Sequence, residues 1–275
     1  MEITFGICAS PNGNLDYLEN LIYSIKDSYE YAALPEDKME IIVSGSVPDN
    51  RKIKGVIYLE FDESIKPGWI TKKKNDIVRK ANYKNVVLLH DYYMLDDFWW
   101  KGFRSFEKNY PDWKIAMNMV INFEGYRHSD WLVNQKYMDE LLKKHPELID
   151  ELNQIAPYEN GPRWVSGIPY EVNDLSHIQY ISGGYIVAKK SVLLDFPLDE
   201  NLLWGDAEDI EWSERVISKG YTFTLNIYCM NFLQKTGKWH LYQMSNNALE
   251  CLRKMYAEPK DENDMLKIGV VINAQ

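Results

Sequence analysis

The apolar positions of this chain fall into two alternating rhythms. Ile3 to Cys8 is a mostly apolar run of strand length, after which Leu15, Leu18, Ile22 and Ile25 recur at helical spacing. Between them Pro11-Asn12-Gly13-Asn14 reads as a turn, with Asn14 placed to cap the helix. Met39 to Val43 is a second strand, ending in Ser44-Gly45-Ser46, and Val56 to Phe61 a third. Thr71 to Ala81 reads as a basic helix and Val86 to Leu89 as a fourth strand, ending in His90-Asp91. Asp96-Asp97 then lead into a helix over Phe98 to Asn109. Apolar strands alternating with helices predict a mostly parallel sheet flanked by helices, of the α/β class. Ligands of such sheets sit at the carboxyl ends of the strands, here Ala9-Ser10, Ser44 to Ser46 and His90-Asp91.

The second half is less regular. Ile115 to Phe123 reads as a strand, and residues 124–178 as an insertion packed on the sheet, with helices over Gln135 to Lys144 and Pro146 to Gln154. Ile178 to Lys189 is strand-like but broken by Gly183-Gly184, a pair that marks a bulge or a place where a ligand approaches the backbone. Leu202 to Tyr221 reads LLWGDAEDIEWSERVISKGY: a glycine turn, three acids, then a short amphipathic helix. Its expected buried face is Ile210, Ser213 and Ile217, with Trp212 and Val216 beside it. Asp206 is expected to cap it, Glu211 and Arg215 to pair across one turn, and Gly220 to end it. Glu208 and Asp209 then lie in the first turn, where the helix dipole favours negative charge. A strand over Tyr221 to Tyr228 follows. No internal repeat or low-complexity segment stands out.

Composition narrows the function classes. The 275 residues suffice for one large domain or two small ones, and the net charge of −10 argues against nucleic acid as partner. No uncharged apolar run approaches the roughly 20 residues needed to span a bilayer, and the N-terminus lacks the pattern of a signal peptide. A cytoplasmic location is expected, with peripheral membrane contact left open. Cys8, Cys229 and Cys251 show no CxxC spacing, against a zinc or disulfide framework. Of the many aromatic residues, most are expected in the core. GxGxxG after the first strand and GxxxxGK[ST] anywhere are both missing, which disfavours a dinucleotide domain and a P-loop.

Three constellations carry chemistry. Lys72, Lys73, Lys74, Arg79 and Lys80 concentrate positive charge on the helix before His90-Asp91, as a bound diphosphate requires. Neighbours on a helix lie about 100° apart, so only part of that run faces a ligand; Lys74 and Asn75 are favoured, with Lys72 solvated. The Gly183-Gly184 pair is the second. His240, within Lys238-Trp239-His240, is the third, since it follows the acidic helix by one strand and a loop and is expected to return to the same strand ends.

These segments, in this order, resemble GT-A-fold nucleotide-sugar glycosyltransferases of the family 2-like and galactosyltransferase-like kind. ITFGICAS resembles the first donor-binding strand. TKKKN with ANYKNVVLLHD resembles the donor helix and the strand before the metal motif. ISGGYIVAKK resembles the glycine pair before the acceptor segment. LLWGDAEDIEWSERVISKGY resembles the signature W-G-x-E-D-x-D-x-x-x-R-x-x-x-x-G.

The resemblance implies a Rossmann-like GT-A sheet in one domain over residues 1–245, with a donor nucleotide-binding half (1–115) and an acceptor-binding half (116–245) carrying the 124–178 insertion; beyond it the residues of 246–275 read as a C-terminal helix and tail, with Met265 to Ile272 as a candidate edge strand. It implies transfer of a sugar from a nucleotide diphosphate, expected to be uridine diphosphate, to a hydroxyl of a glycan or glycolipid, with inversion. By the same resemblance Asp209 is the catalytic base, with Glu208 beside it. Ala9, Ser10, Ser44, Lys74, Asn75, His90 and Asp91 bind the donor. Gly183, Gly184 and Trp204 face the acceptor, and Asp91 with His240 hold Mn²⁺ or Mg²⁺. Two positions depart from the pattern: Tyr93 replaces the second aspartate of D-x-D, and Ser44-Gly45-Ser46 lacks the usual base-recognising aspartate. A sugar nucleotidyltransferase and a non-catalytic nucleotide-sugar-binding scaffold are the competing readings. The oligomeric state is left open.

Overall fold

The computed structural model describes residues 1–10, 13–122, 126–133, 137–148, 176–234 and 242–243. Its elements in chain order are β1 (Glu2–Cys8), α1 (Leu15–Ala32), β2 (Lys38–Ser44), β3 (Ile57–Leu59), α2 (Ile70–Lys80), β4 (Asn85–His90), β5 (Tyr93–Leu95), α3 (Trp99–Asn109) and β6 (Ile115–Asn122). There follow β7 (Tyr126–Arg127), β8 (Leu132–Val133), α4 (Met138–Lys144), β9 (Gln179–Tyr180), β10 (Tyr185–Lys189), α5 (Lys190–Asp195), α6 (Glu208–Ile217), β11 (Phe223–Leu233) and β12 (Tyr242–Gln243). The expected tail (246–275), His240 and most of the expected insertion lie outside the described residues; of the expected helix over Pro146 to Gln154, the described part is a short 3₁₀ turn, Pro146–Leu148.

β3, β2, β1 and β4 are parallel neighbours, as the alternation of strands and helices predicts. β10 enters beside β4 in the opposite direction and pairs on its far side with β6, to which β11 is parallel. β5, a strand the apolar pattern does not announce, pairs antiparallel with β11. Together the described strands form a large, mostly parallel sheet with helices on both faces.

Alternation along β1 builds the two faces. Ile3, Phe5 and Ile7 pack with Leu18, Leu21, Ile22 and Ile25 of α1 and with the aromatic face of α3. Cys8 points the other way, into the layer made by Ile77 and Val78 of α2, Val192 and Leu193 of α5, and Trp212 and Val216 of α6. The α3 face holds Trp99, Trp100, Phe103 and Phe106, all fully buried, with Trp99 stacked on Phe103 at 4.9 Å. Each such ring contributes on the order of 2 kcal/mol by leaving water.

Strand direction positions the site. Cys8 is in register with both Ser44 and His90, so the three expected strand ends lie side by side. Because β10 runs the other way, its beginning meets those ends: Tyr185 opposes Leu89, and the His90 amide donates to the Gly184 carbonyl at 3.0 Å. One antiparallel strand thus carries the glycine pair to the carboxyl edge of the parallel ones.

Candidate functional site

α6 delivers the acids to this edge. Trp212, Ser213 and Val216 form its buried face with Glu208, while Ile210 and Ile217 are only half-buried, which shifts the expected face by one residue. Glu211 and Arg215 pair in two contacts of 2.7 and 2.9 Å. Gly220, at φ +87°, closes the helix: its amide donates to Ile217 and the Tyr221 amide to Val216, the paired bonds of a left-handed helix end. Asp206 does not cap the helix. Ala207 stands at the cap position in the left-handed region, φ +56°, and turns the Asp206 carboxylate back to accept from the Leu203 amide at 2.8 Å. The loop so formed leaves Trp204 68% exposed at its tip.

Asp209 is held from two sides. Its Oδ2 accepts from the Gly183 amide at 2.8 Å and its Oδ1 from the Ile210 amide at 2.9 Å. Glu208 is buried, and its Oε1 lies 3.2 Å from the Nζ of the equally buried Lys74. Gly183 passes directly over this group. A Cβ on it would stand 2.6 Å from Glu208 Oε1, and 3.2 Å from both Asp209 Cβ and Lys74 Nζ. At Gly184 a Cβ would stand 2.7 Å from the Tyr93 hydroxyl. The pair is therefore a close backbone approach, packed on the acids and on Tyr93. Burial pushes the Asp209 carboxyl above its ordinary value, and the Glu208 charge adds to this; the Gly183 amide, Lys74 and the Ile210 amide oppose it.

The two buried lysines have separate surroundings. Lys73 donates to the Ala9 carbonyl at 2.9 Å, pairs with Glu63 and lies 5.1 Å from the Phe61 ring centre. Burial draws its ammonium below the ordinary value. Lys72 pairs with Asp76 at 3.1 Å on the outer face. Asn75 is turned elsewhere: its amide donates to the Leu198 carbonyl at 2.9 Å and to Glu200 at 3.1 Å, and accepts from the Leu198 amide at 3.0 Å, clipping the segment before α6 to α2. Ser44 is buried at the end of β2. Desolvation lifts the Cys8 thiol to about 11, which removes it as a nucleophile.

At the end of β4, Asp91 Oδ2 accepts from the Ser10 amide at 2.6 Å. His90 Nδ1 and the Tyr92 hydroxyl are 2.8 Å apart. Tyr93 is buried and turned back to the glycine pair, with its hydroxyl bonded to Ser182. Among the described residues no three His, Cys, Asp or Glu side chains gather to hold a metal ion.

No family model and no curated protein matches the sequence. S. aureus TarS 1–349 in complex with UDP-GlcNAc matches with TM-score 0.51 and 13% identity, over 94% of this chain and 66% of that one. TarS 1–349 in complex with UDP matches with TM-score 0.49 and 12% identity, over 85% and 61%. The chain thus spans about two thirds of the TarS 1–349 chains it matches. The likeness shows the fold, which is of the GT-A type.

The alternation of strands and helices in the first half, the glycine pair and the acids could be found in the sequence. The Lys74–Glu208 pair could not, since 134 residues separate its members.

Proposed function

We propose that the protein is a glycosyltransferase that moves a sugar from a uridine diphosphate sugar to an acceptor hydroxyl, with inversion. The observation that carries this reading is the Asp209 carboxylate, fixed by the Gly183 amide at the carboxyl edge of a GT-A-type sheet. The fold match to TarS holding UDP-GlcNAc supports the donor class. The donor lies over Ala9, Ser10, Ser44, His90 and Asp91, with Lys73 supplying positive charge near its phosphates. The acceptor, a glycan or glycolipid hydroxyl, enters past Trp204. Asp209 takes the proton of that hydroxyl as its oxygen bonds to the anomeric carbon, and the bond from that carbon to the diphosphate oxygen breaks. Burial suits Asp209 to this task, since a raised carboxyl is a stronger base than an exposed one. A Mn²⁺ or Mg²⁺ ion, where bound, would be held by Asp91 and would neutralise charge on the departing diphosphate.

Thermal shift with UDP-GlcNAc, UDP-glucose and UDP-galactose tests the donor, since site occupancy raises the melting point by mass action. UDP release is then measured with and without a panel of glycan acceptors. Stabilisation by one UDP-sugar and acceptor-dependent UDP release are expected. Pyrophosphate release from UTP and a sugar phosphate would instead identify a nucleotidyltransferase. Binding with no transfer across the panel would leave a scaffold.

A further inference from the structure

We propose that Lys74 is a positioning residue, which acts through its buried pair with Glu208 to keep Asp209 able to accept a proton. The inference rests on Asp209 being the base. Sequence alone makes Lys74 a donor contact, but its surroundings leave it another part. It is 1% exposed, its Nζ is 3.2 Å from Glu208 Oε1, and the Gly183 backbone closes the side above it. The neighbouring Lys73 reaches the end of β1, where it donates to the Ala9 carbonyl and pairs with Glu63.

The groups acting on Asp209 come from several elements. Glu208 precedes it on α6 and Lys74 faces it from α2. The phenols of Tyr180 on β9, Tyr93 on β5 and Tyr92 before it feel its charge, and burial holds all three neutral. Among the described residues the charges that act most on Asp209 are therefore one anion, Glu208, and one cation, Lys74. Without Lys74, two adjacent carboxyls would share this half-enclosed site, and such pairs retain a proton well above the ordinary carboxylate range. A base that holds a proton at working pH cannot take one from the acceptor.

The test is a ¹³C NMR titration of the Asp209 carboxyl together with the pH profile of UDP-sugar turnover and the affinity for UDP. It uses wild type, Lys74→Met, Glu208→Gln and the double variant. Lys74→Met is expected to raise the Asp209 midpoint and the acidic limb of the profile by about one pH unit, the usual effect of losing one close opposite charge. Glu208→Gln is expected to lower both. The double variant should titrate above Glu208→Gln and below Lys74→Met, with UDP affinity unchanged by Lys74→Met. Should Lys74→Met fail to fold around an unpaired Glu208, comparing Glu208→Gln with the double variant decides the matter, since neither contains that carboxylate. An unmoved midpoint on removal of Lys74 overturns the proposal, and a drop in UDP affinity in its place makes Lys74 a phosphate contact. A midpoint that moves while the acidic limb stays fixed upholds the role of Lys74 and overturns Asp209 as base.

Discussion

Gly183→Ala tests how tightly the site is assembled. The glycine lies outside the left-handed region, so the substitution adds a methyl group without straining the backbone. That methyl would stand 2.6 Å from Glu208 Oε1, where ordinary contacts begin at about 3.5 Å. Glu208 could swing aside in open space, but here it is buried and bound to Lys74 at 3.2 Å. Relief therefore stretches the ion pair or displaces the β9–β10 turn. Overpacking costs about 1–3 kcal/mol, and breaking a buried pair by removing one partner about 3–5. Stretching lies between intact and broken, so a loss of about 2–4 kcal/mol is expected. Urea unfolding of wild type, Gly183→Ala, Glu208→Ala and the double variant measures it. In the Glu208→Ala background the 2.6 Å contact is gone and only those at 3.2 Å remain, so the added methyl should cost about 1 kcal/mol or less. An equal cost in both backgrounds would refute the packing account, as would wild-type stability in Gly183→Ala. Displacing Asp209 by about 1 Å should also slow turnover roughly 100-fold.

Asp209→Asn should slow sugar transfer roughly 10²–10⁴-fold with UDP binding retained; near wild-type transfer by the folded variant would remove Asp209 as base. Its stability carries a second sign: the Asp209 carboxyl is raised on folding, so its charged form costs stability at neutral pH, and that cost fades as pH falls through the raised value. Asp209→Asn removes that cost at pH 7 but leaves either the Gly183 or the Ile210 amide without its acceptor, so urea unfolding at pH 7 and at low pH should show the variant gaining relative to wild type as pH rises. Asp91→Asn should abolish the part of UDP-sugar affinity that depends on Mn²⁺, measured by calorimetry with and without chelator; an unchanged Mn²⁺ effect would remove Asp91 from any metal site. Gly220→Ala should cost about 1 kcal/mol in urea unfolding, because an L residue must enter the left-handed region at the end of α6, with UDP affinity untouched.

Local chemistry settled much of this protein from sequence alone. The apolar runs of β1, β2 and β4 announce a parallel sheet because only strands buried on both faces are apolar throughout. Asn14 caps α1 through a 2.9 Å bond to the Asp16 amide, and Glu211 pairs with Arg215, because both contacts lie within one helical turn. Gly220 ends α6 for the same local reason. Where partners are distant in the chain, only the tertiary structure decided. Lys73, Lys74 and Asn75 are consecutive, yet the helix sends them to Ala9, Glu208 and Leu198 in turn. Asp206 has the composition of a cap, but the left-handed Ala207 redirects it to Leu203. The glycine pair can be read as a bulge from sequence. Its use follows from β10 running antiparallel among parallel strands, which sets the Gly183 amide on Asp209. A sequence carries periodicity and nearest-neighbour preference; which buried charge meets which depends on chain direction and layer packing, and those exist only once the sheet is formed.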